Sequence, residues 1–349
     1  MWRLPTTVLP DGIADQLWVS GGALTRTPVD GAETLPGRFV LPGLVDSHAH
    51  LTLQESDEHI YVLGDRTHRD AVLESSRRSG VLLLRDVGGD PSLTLPLARD
   101  ESSGVLAAGR FLASDGHYFP TLHTPVDAES LAAAAVEQIR AGAQWVKLVG
   151  DFPYRMEKGV DATPSYDIDT IRTMVDAVHA AGGRVATHTA TAYVGDLVAA
   201  GIDSVEHGYG LDANTVRAMA SSGCAWTPTL CAGLFLPPNA PPERVKRRAD
   251  RIELFRTLLP LAVSLGVPVL SGTDVAGTIA DEVGWLVHCG LSPLDALRSA
   301  SVVARTFLDR PALVDGRPAD LVTFDADPRE DPAVLAKPAA VLRRGERIT

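Results

Sequence analysis

Along the middle of the chain, short apolar runs recur, each closing on polar residues, with alanine-rich amphipathic stretches between them. Eight such runs can be read: LVDSHAH (44–50), VLLLRDVG (81–88), RFLASDG (110–116), WVKLVGD (145–151), RVATHTA (184–190), SVEHGYG (204–210), AWTPTL (225–230) and VPVLSGTD (267–274). Hydrophobicity that is nearly continuous, rather than strictly alternating, suits strands buried on both faces of a parallel sheet. The stretches between them read as helices over 129–141, over 169–181 and from Val194 onward. Gly142, Gly182 and Gly201 follow these stretches closely, as expected where a helix stops before a strand. The alternation predicts an α/β fold, and eight units predict a (β/α)8 TIM barrel rather than an open doubly wound sheet.

The two ends break this rhythm. Residues 1–42 hold short alternating runs (QLWVSGGAL, GRFVLPG) interrupted by Pro, Gly and Asp, and 312–349 hold two more (ADLVTFDADP, AAVLRRGERI). Both read as short-strand hairpins. They predict a small β-sandwich domain formed from both termini, with the barrel confined to 43–311.

Composition narrows the class. The 349 residues are 45% hydrophobic and 22% charged, which excludes a disordered chain. A net charge of −12 without a basic stripe argues against nucleic acid or an anionic membrane as partner, and leaves a small-molecule substrate and a homo-oligomer open. No apolar run approaches transmembrane length, and the N-terminus lacks the basic-then-apolar order of a signal peptide. Three cysteines without a CxxC motif fit a reduced, cytoplasmic setting.

The chemistry-bearing residues fall at the ends of the proposed strands, the barrel face where active sites are built. His48 and His50 are two apart and share one side of a strand. Lys147 lies inside an apolar strand, while His188, His207 and Asp274 close the fifth, sixth and eighth strands. Four imidazoles and a carboxylate suit Zn²⁺ or a similar divalent ion. A lone histidine is more often a packed or solvated side chain, and His59, His68, His179 and His288 are read that way. HxH alone is weak, and Asp274 after SGT would serve equally as a helix N-cap. Lys147 is harder to dismiss, because a buried lysine costs several kcal/mol unless it is paired or neutralised. Carboxylation of its amine by CO₂ would turn it into an anionic metal-bridging ligand. The order HxH, Lys, His, His, Asp along the strands makes coincidence a poor account.

These motifs together resemble the amidohydrolase superfamily. PGLVDSHAH, LLLRDVGG, WVKL, VATHTA, SVEHG and SGTD resemble its strand ends, and GLSPLDALRSAS with GRPADLVTFDADP resembles its closing segment. The resemblance implies a hydrolase with two divalent metal ions, Zn among the candidates. His48, His50 and Asp274 would hold one, His188 and His207 the other, and carboxylated Lys147 would bridge them. Thr191 stands where deaminase-type members carry a glutamate, which disfavours deamination. The short spacing from His188 to His207 and the RDVGG and SVEHG motifs are similar to the branch holding Xaa-Pro dipeptidases, related to imidazolonepropionase-like enzymes but with the lysine they lack. That branch carries Gly-Gly-His after its third strand. Here Asp115 replaces the first glycine, and Ala190 stands where many relatives carry tyrosine.

The resemblance implies hydrolysis of an amide (C–N) bond in a dipeptide or N-acyl amino acid by a metal-bridging hydroxide. Asp274 would be the general base, and His117 or a nearby tyrosine would steady the oxyanion. Asp86 or Glu206 would orient ligand imidazoles. Tyr118, His123, Arg155 and Tyr193 are candidate substrate contacts, with Lys158 in the same loop as Arg155. Arg155 would receive a carboxylate, although it and Lys158 read equally well as solvated charges. The proline-rich segment 231–243 would be a lid or an oligomer contact. A lactonase or esterase would use the same site, and a non-catalytic scaffold would be expected to have lost a ligand.

Overall fold

The computed structural model describes residues 1–56, 60–157 and 160–349. His59 and Lys158 lie outside the described residues. The fold is mixed α/β. Parallel strands β1 (Leu44–Ala49), β2 (Val81–Asp86) and β3 (Val105–Ala107) form one sheet with β2 in the middle. A second parallel sheet runs in chain order through β4 (Phe111–Leu112), β5 (Trp145–Val149), β6 (Arg184–Thr189), β7 (Ser204–His207) and β8 (Ala225–Thr227).

Hydrogen bonds link the two sheets. On one side, the Gln144 N–H donates to the Ala107 carbonyl at 3.1 Å, and the Ala107 N–H returns a 3.1 Å bond to the Gln144 side chain. On the other, residues 268–274 bond in both directions. Leu270 donates to the Trp226 carbonyl at 2.9 Å, Ser47 donates to the Ser271 carbonyl at 2.8 Å, and Asp274 donates to the His48 carbonyl at 2.7 Å. Val45, Leu83, Leu106, Trp145, Ala186, Ala225 and Leu270 belong to one buried cluster, so apolar side chains from both sheets meet in a common interior.

Helices fill the connections: α1 (Arg66–Arg78), α2 (Pro91–Arg99), then, where the apolar periodicity places them, α3 (Leu131–Arg140), α4 (Ile168–Ala180) and α5 (Val194–Ala199), followed by α6 (Ala213–Ser222) and the short α7 (Leu230–Gly233). The Asp167 side chain caps α4 by accepting from the Thr170 N–H, and α4 turns Ile171, Met174, Val175 and Val178 to the core. Three expected strands differ. Of the run expected at 110–116 only Phe111–Leu112 is strand, and an unforeseen strand, β3, precedes it, with positive φ at Gly109 bending the chain between the two. Strand β8 stops at Thr227, where Pro228 has no N–H for the ladder, and Leu230–Gly233 forms a single helical turn instead. Residues 267–274 make only isolated bridges, Trp226 with Val269 and Ala49 with Asp274.

Both termini form antiparallel-rich sheets apart from these strands. Trp2–Arg3, Trp18–Ser20, Ala23–Thr25 and Glu33–Thr34 form one. In the other, Phe39–Pro42 pairs with Leu321–Phe324 from the far end of the chain. They share a buried cluster that includes Leu17, Leu24, Leu35, Leu321 and Leu342. Among the described residues, no helix is long and apolar enough to cross a membrane.

Candidate metal centre

Each histidine that ends β1 or β7 has its outer ring nitrogen already engaged, and the acceptors fix the tautomers. The His50 Nδ1 lies 2.8 Å from the Gly88 carbonyl, which can only accept. The His207 Nδ1 lies 2.7 Å from the Thr229 hydroxyl oxygen. That hydroxyl donates its own proton to the Pro228 carbonyl at 2.8 Å, so it accepts from His207. The His48 Nδ1 lies 2.6 Å from Oε2 of Glu206, whose carboxyl is held well below its ordinary range: Arg85 and His48 outweigh the opposing effect of burial. All three imidazoles therefore carry their proton on Nδ1 and turn a bare Nε2 lone pair inward, the state a metal ligand needs.

The inward atoms converge. Asp274 Oδ1 is 3.2 Å from His50 Nε2 and 3.7 Å from His48 Nε2. Ligand atoms of His48, His207 and Asp274 all lie within 4.8 Å of one another, so this group could hold a metal ion. The His188 and His207 rings stand 4.5 Å apart. Burial keeps these rings neutral, lowering His48 to about 3, His188 to about 4, and His207 well below its ordinary value. Asp274 is lowered too, which for a carboxyl favours the charged form. Burial alone would raise it, but the surroundings of His50, His48 and His207 hold it below the carboxylate range.

Local backbone shapes the centre. His207, Thr229 and Asp274 all adopt left-handed φ, at 68°, 50° and 57°. Such positions cost on the order of 1–3 kcal/mol each and persist where the surroundings over-determine them. Here the Asp274 N–H bond to His48 turns the carboxylate back over β1. A Cβ on Gly272 would lie 2.5 Å from the His48 Cβ, so only glycine allows this approach.

Lys147 completes the inner ring. It sits on β5 in register with Phe111 of β4 and Ala186 of β6. Its side chain is 1% exposed, and its Nζ has no hydrogen-bond partner among the described residues. Burial pulls its pKa down to about 8. An orphaned buried amine lining a cavity with neutral imidazoles and one carboxylate is left unsatisfied by the described protein atoms.

Behind His48 lies a fully buried charge network. Glu206 Oε1 accepts from Arg85 at 2.8 Å and from the Ser204 hydroxyl at 2.6 Å. The Arg85 guanidinium lies 4.5 Å over the Trp145 ring. Glu206 thus orients an imidazole. Asp86 touches none: it accepts from the Leu51 N–H at 2.8 Å and the Gly88 N–H at 3.3 Å, holding the turn that presents the Gly88 carbonyl to His50. Glu206→Gln should weaken metal binding about 10- to 100-fold in chelator competition, since His48 loses the carboxylate that fixes its tautomer. It should also lower the melting temperature, because Arg85 would be left a buried, uncompensated cation. Unchanged metal affinity would leave Glu206 a purely structural role.

A cavity of about 270 Å³ opens over the centre, and His48, His50, Lys147, His188, His207 and Asp274 all line it. Leu53, Tyr61, Phe119 and Phe152 add an apolar wall, and Tyr118 is there too, its hydroxyl free of protein partners among the described residues. The other expected substrate contacts point elsewhere. His117 is engaged at both ring nitrogens, with Ser114 at 2.9 Å and Thr163 at 3.2 Å. His123 Nδ1 bonds the Phe119 carbonyl at 2.9 Å. Tyr193 donates to the Tyr166 carbonyl at 3.0 Å. Arg155 is exposed, 3.8 Å from Asp115. Tyr209 and Arg251, unforeseen from sequence, do line the cavity. Tyr209 follows His207 closely enough to be suspected, whereas Arg251 is hidden in RVKRRADRIELFR, which reads as a solvated basic face.

A model of the amidohydrolase family matches residues 39–348, so the chain belongs to the amidohydrolase family. An uncharacterized protein of Mycobacterium tuberculosis is 38% identical over 351 residues, covering 97% of this chain and 93% of that protein. Among solved structures, a Xaa-Pro dipeptidase with methionine bound in its active site superposes with a TM-score of 0.84 at 22% identity, over 99% of each chain. A prolidase complexed with N-methylphosphonate-L-proline gives 0.80 at 24% identity, over 100% of this chain and 99% of that one. At these identities the structural likeness speaks for the fold. With the family it makes this protein a hydrolytic enzyme.

Proposed function

We propose that this protein cleaves an amide bond in a dipeptide or N-acyl amino acid with two divalent metal ions, Zn²⁺ being the natural choice for this donor set. His48, His50 and Asp274 would hold one ion, and His188 and His207 the other. Lys147, carboxylated, would lie between them. The observation that carries this reading is the buried Lys147 Nζ, without a partner among the described residues, lining one cavity with four imidazoles and Asp274. The fold reading behind it is a (β/α)8 barrel spanning 43–311. It is supported by residues 268–274 bonding both to Trp226 and to β1. The terminal sheets, with their shared core, would be the β-sandwich of 1–42 and 312–349.

Bound metals supply Lewis acidity, polarising a carbonyl and lowering the pKa of water. The protein's own groups do the rest. Asp274, whose carboxyl is held below its ordinary range, takes a proton from water and returns it to the leaving nitrogen. The Tyr118 hydroxyl, kept protonated by burial, is placed to donate to the carbonyl oxygen. The aromatic wall limits water around the reacting groups.

Elemental analysis of protein grown with added zinc should give close to two metal equivalents per chain. The same preparation should hydrolyse members of a panel of dipeptides and N-acyl amino acids faster than lactones. One equivalent at full activity would move the protein to a mononuclear mechanism.

A further inference from the structure

Helix α8 (Pro242–Ser264) carries a run of arginines and lysine that is solvated over most of its length. Arg248 lies half-buried over Trp285, and Arg251 turns into the cavity above the metal centre. One guanidinium nitrogen donates to the Gly233 carbonyl at 2.8 Å. Its carbon sits 3.7 Å over the Tyr209 ring. Tyr209 is itself stacked near-parallel on His207, with centroids 5.9 Å apart and planes at 19°. The cation is therefore one aromatic layer away from the metal-site imidazole.

No carboxylate among the described residues pairs with Arg251, and burial lowers its pKa from the ordinary value. Desolvating a cation without a counter-charge is unfavourable unless a ligand supplies one. Asp274, the acidic residue in the cavity lining, is already engaged by the imidazoles. The fork is also rigidly held. The Leu230 and Cys231 N–H groups donate to buried Glu282 at 2.9 and 2.8 Å, which anchors the turn carrying Gly233. A Cβ on Gly233 would lie 2.2 Å from the Tyr209 hydroxyl, so the turn packs directly on the ring beneath Arg251. A planar guanidinium with one edge fixed and the rest unpaired is built to receive a carboxylate.

We propose that Arg251, propped on Tyr209, receives the free carboxylate of the substrate's amino-acid half, an assignment that rests on the amide-hydrolase reading above. The substrate class is then N-acyl amino acids and dipeptides with an unblocked C-terminus. In such molecules three bonds separate the scissile carbonyl carbon from the carboxyl carbon, so an amide beside His207 sets the carboxylate on the Tyr209–Arg251 side. The acyl group faces the wall of Leu53, Phe119 and Phe152. Arg155, exposed against Asp115, is not available for this role.

The test pairs a panel of N-acetyl L-amino acids with their C-terminal carboxamides. Hydrolysis is measured with metal-loaded wild type, Arg251→Gln and Arg251→Lys. Binding is measured by equilibrium dialysis on each of these in an Asp274→Asn background, so that the probe survives. Charge-assisted hydrogen bonds of this kind are worth about 10- to 100-fold, so wild type should prefer carboxylate over carboxamide by about that factor in kcat/KM and in affinity. Arg251→Gln should collapse the preference, and Arg251→Lys should restore part of it. Metal content and melting temperature identify a variant that fails to fold; Arg251→Lys against wild type then carries the comparison, with a reduced preference supporting the assignment. Equal handling of carboxylate and carboxamide by wild type, or an undiminished preference in Arg251→Gln, overturns the assignment while leaving amide hydrolysis intact. If no amide is cleaved, the hydrolase reading fails and the dialysis arm alone decides. A carboxylate preference that depends on Arg251 sustains the seat, and its absence removes it.

Discussion

Asp274→Asn should lower turnover by about 10²–10⁴-fold while the protein stays folded, the range expected when a positioned general base is removed. Both halves follow from the geometry. Asparagine tolerates the left-handed backbone that Asp274 adopts at φ 57°, and the bond from its N–H to the His48 carbonyl is a main-chain contact that survives the change. The substitution removes charge and basicity. His48 and His50 each face an Asp274 oxygen, and a neutral amide there neither accepts a proton from water nor balances a cation. Turnover should be measured on variant protein whose metal content is assayed in the same sample, which separates loss of the base from loss of the ion. Activity within tenfold of wild type at full metal content would exclude Asp274 as the base.

What could be read from the chain, and what could not, divides along physical lines. The six candidate ligands were legible because five sit where an apolar run ends and Lys147 interrupts one. A buried strand has few polar positions, so HxH after LVDS or a lysine inside WVKLV stands out against its neighbours. All six line the same cavity. Helices α3 and α4 were legible because amphipathic periodicity and a capping aspartate or closing glycine agree. Of the candidate substrate contacts among the described residues, Tyr118 alone lines the cavity, because loop side chains are directed by tertiary partners. His117 faces Ser114 and Thr163, and Tyr193 reaches for the Tyr166 carbonyl. Arg251 shows the same limit from the other side. On sequence it is one more arginine in a charged helix, and only the stacking on Tyr209 and the bond to Gly233 separate it from Arg247. Arg85, too, looks like a strand-end charge until Glu206 appears opposite it from a strand more than a hundred residues away.

Lys147→Ala should lose bound metal and activity together, and a small carboxylic acid should restore part of both. An unmodified ammonium at Lys147 would stand among His48, His188 and His207, where any bound dication repels it. The side chain is too deeply buried to turn its charge toward solvent, and its Nζ finds no acceptor among the described residues. Reaction of the neutral amine with CO₂ forms a nitrogen–carbon bond, releases a proton and leaves a carbamate. Its two oxygens would be available as metal ligands, and its negative charge would offset part of the metals' charge. Removing the side chain deletes that bridge and opens a gap about the size of a short acid. Losing one preorganised electrostatic partner of the transition state typically costs about 10²–10³-fold, and losing the metals as well should cost more. Acetate or propionate at millimolar concentration should bring back metal and a measurable fraction of the rate, whereas chloride at equal ionic strength should not. Electron density from crystals grown with bicarbonate tests the modification directly. A well-ordered free amine at Lys147 beside two occupied metal positions would rule out the bridge, and with it the binuclear reading of this centre.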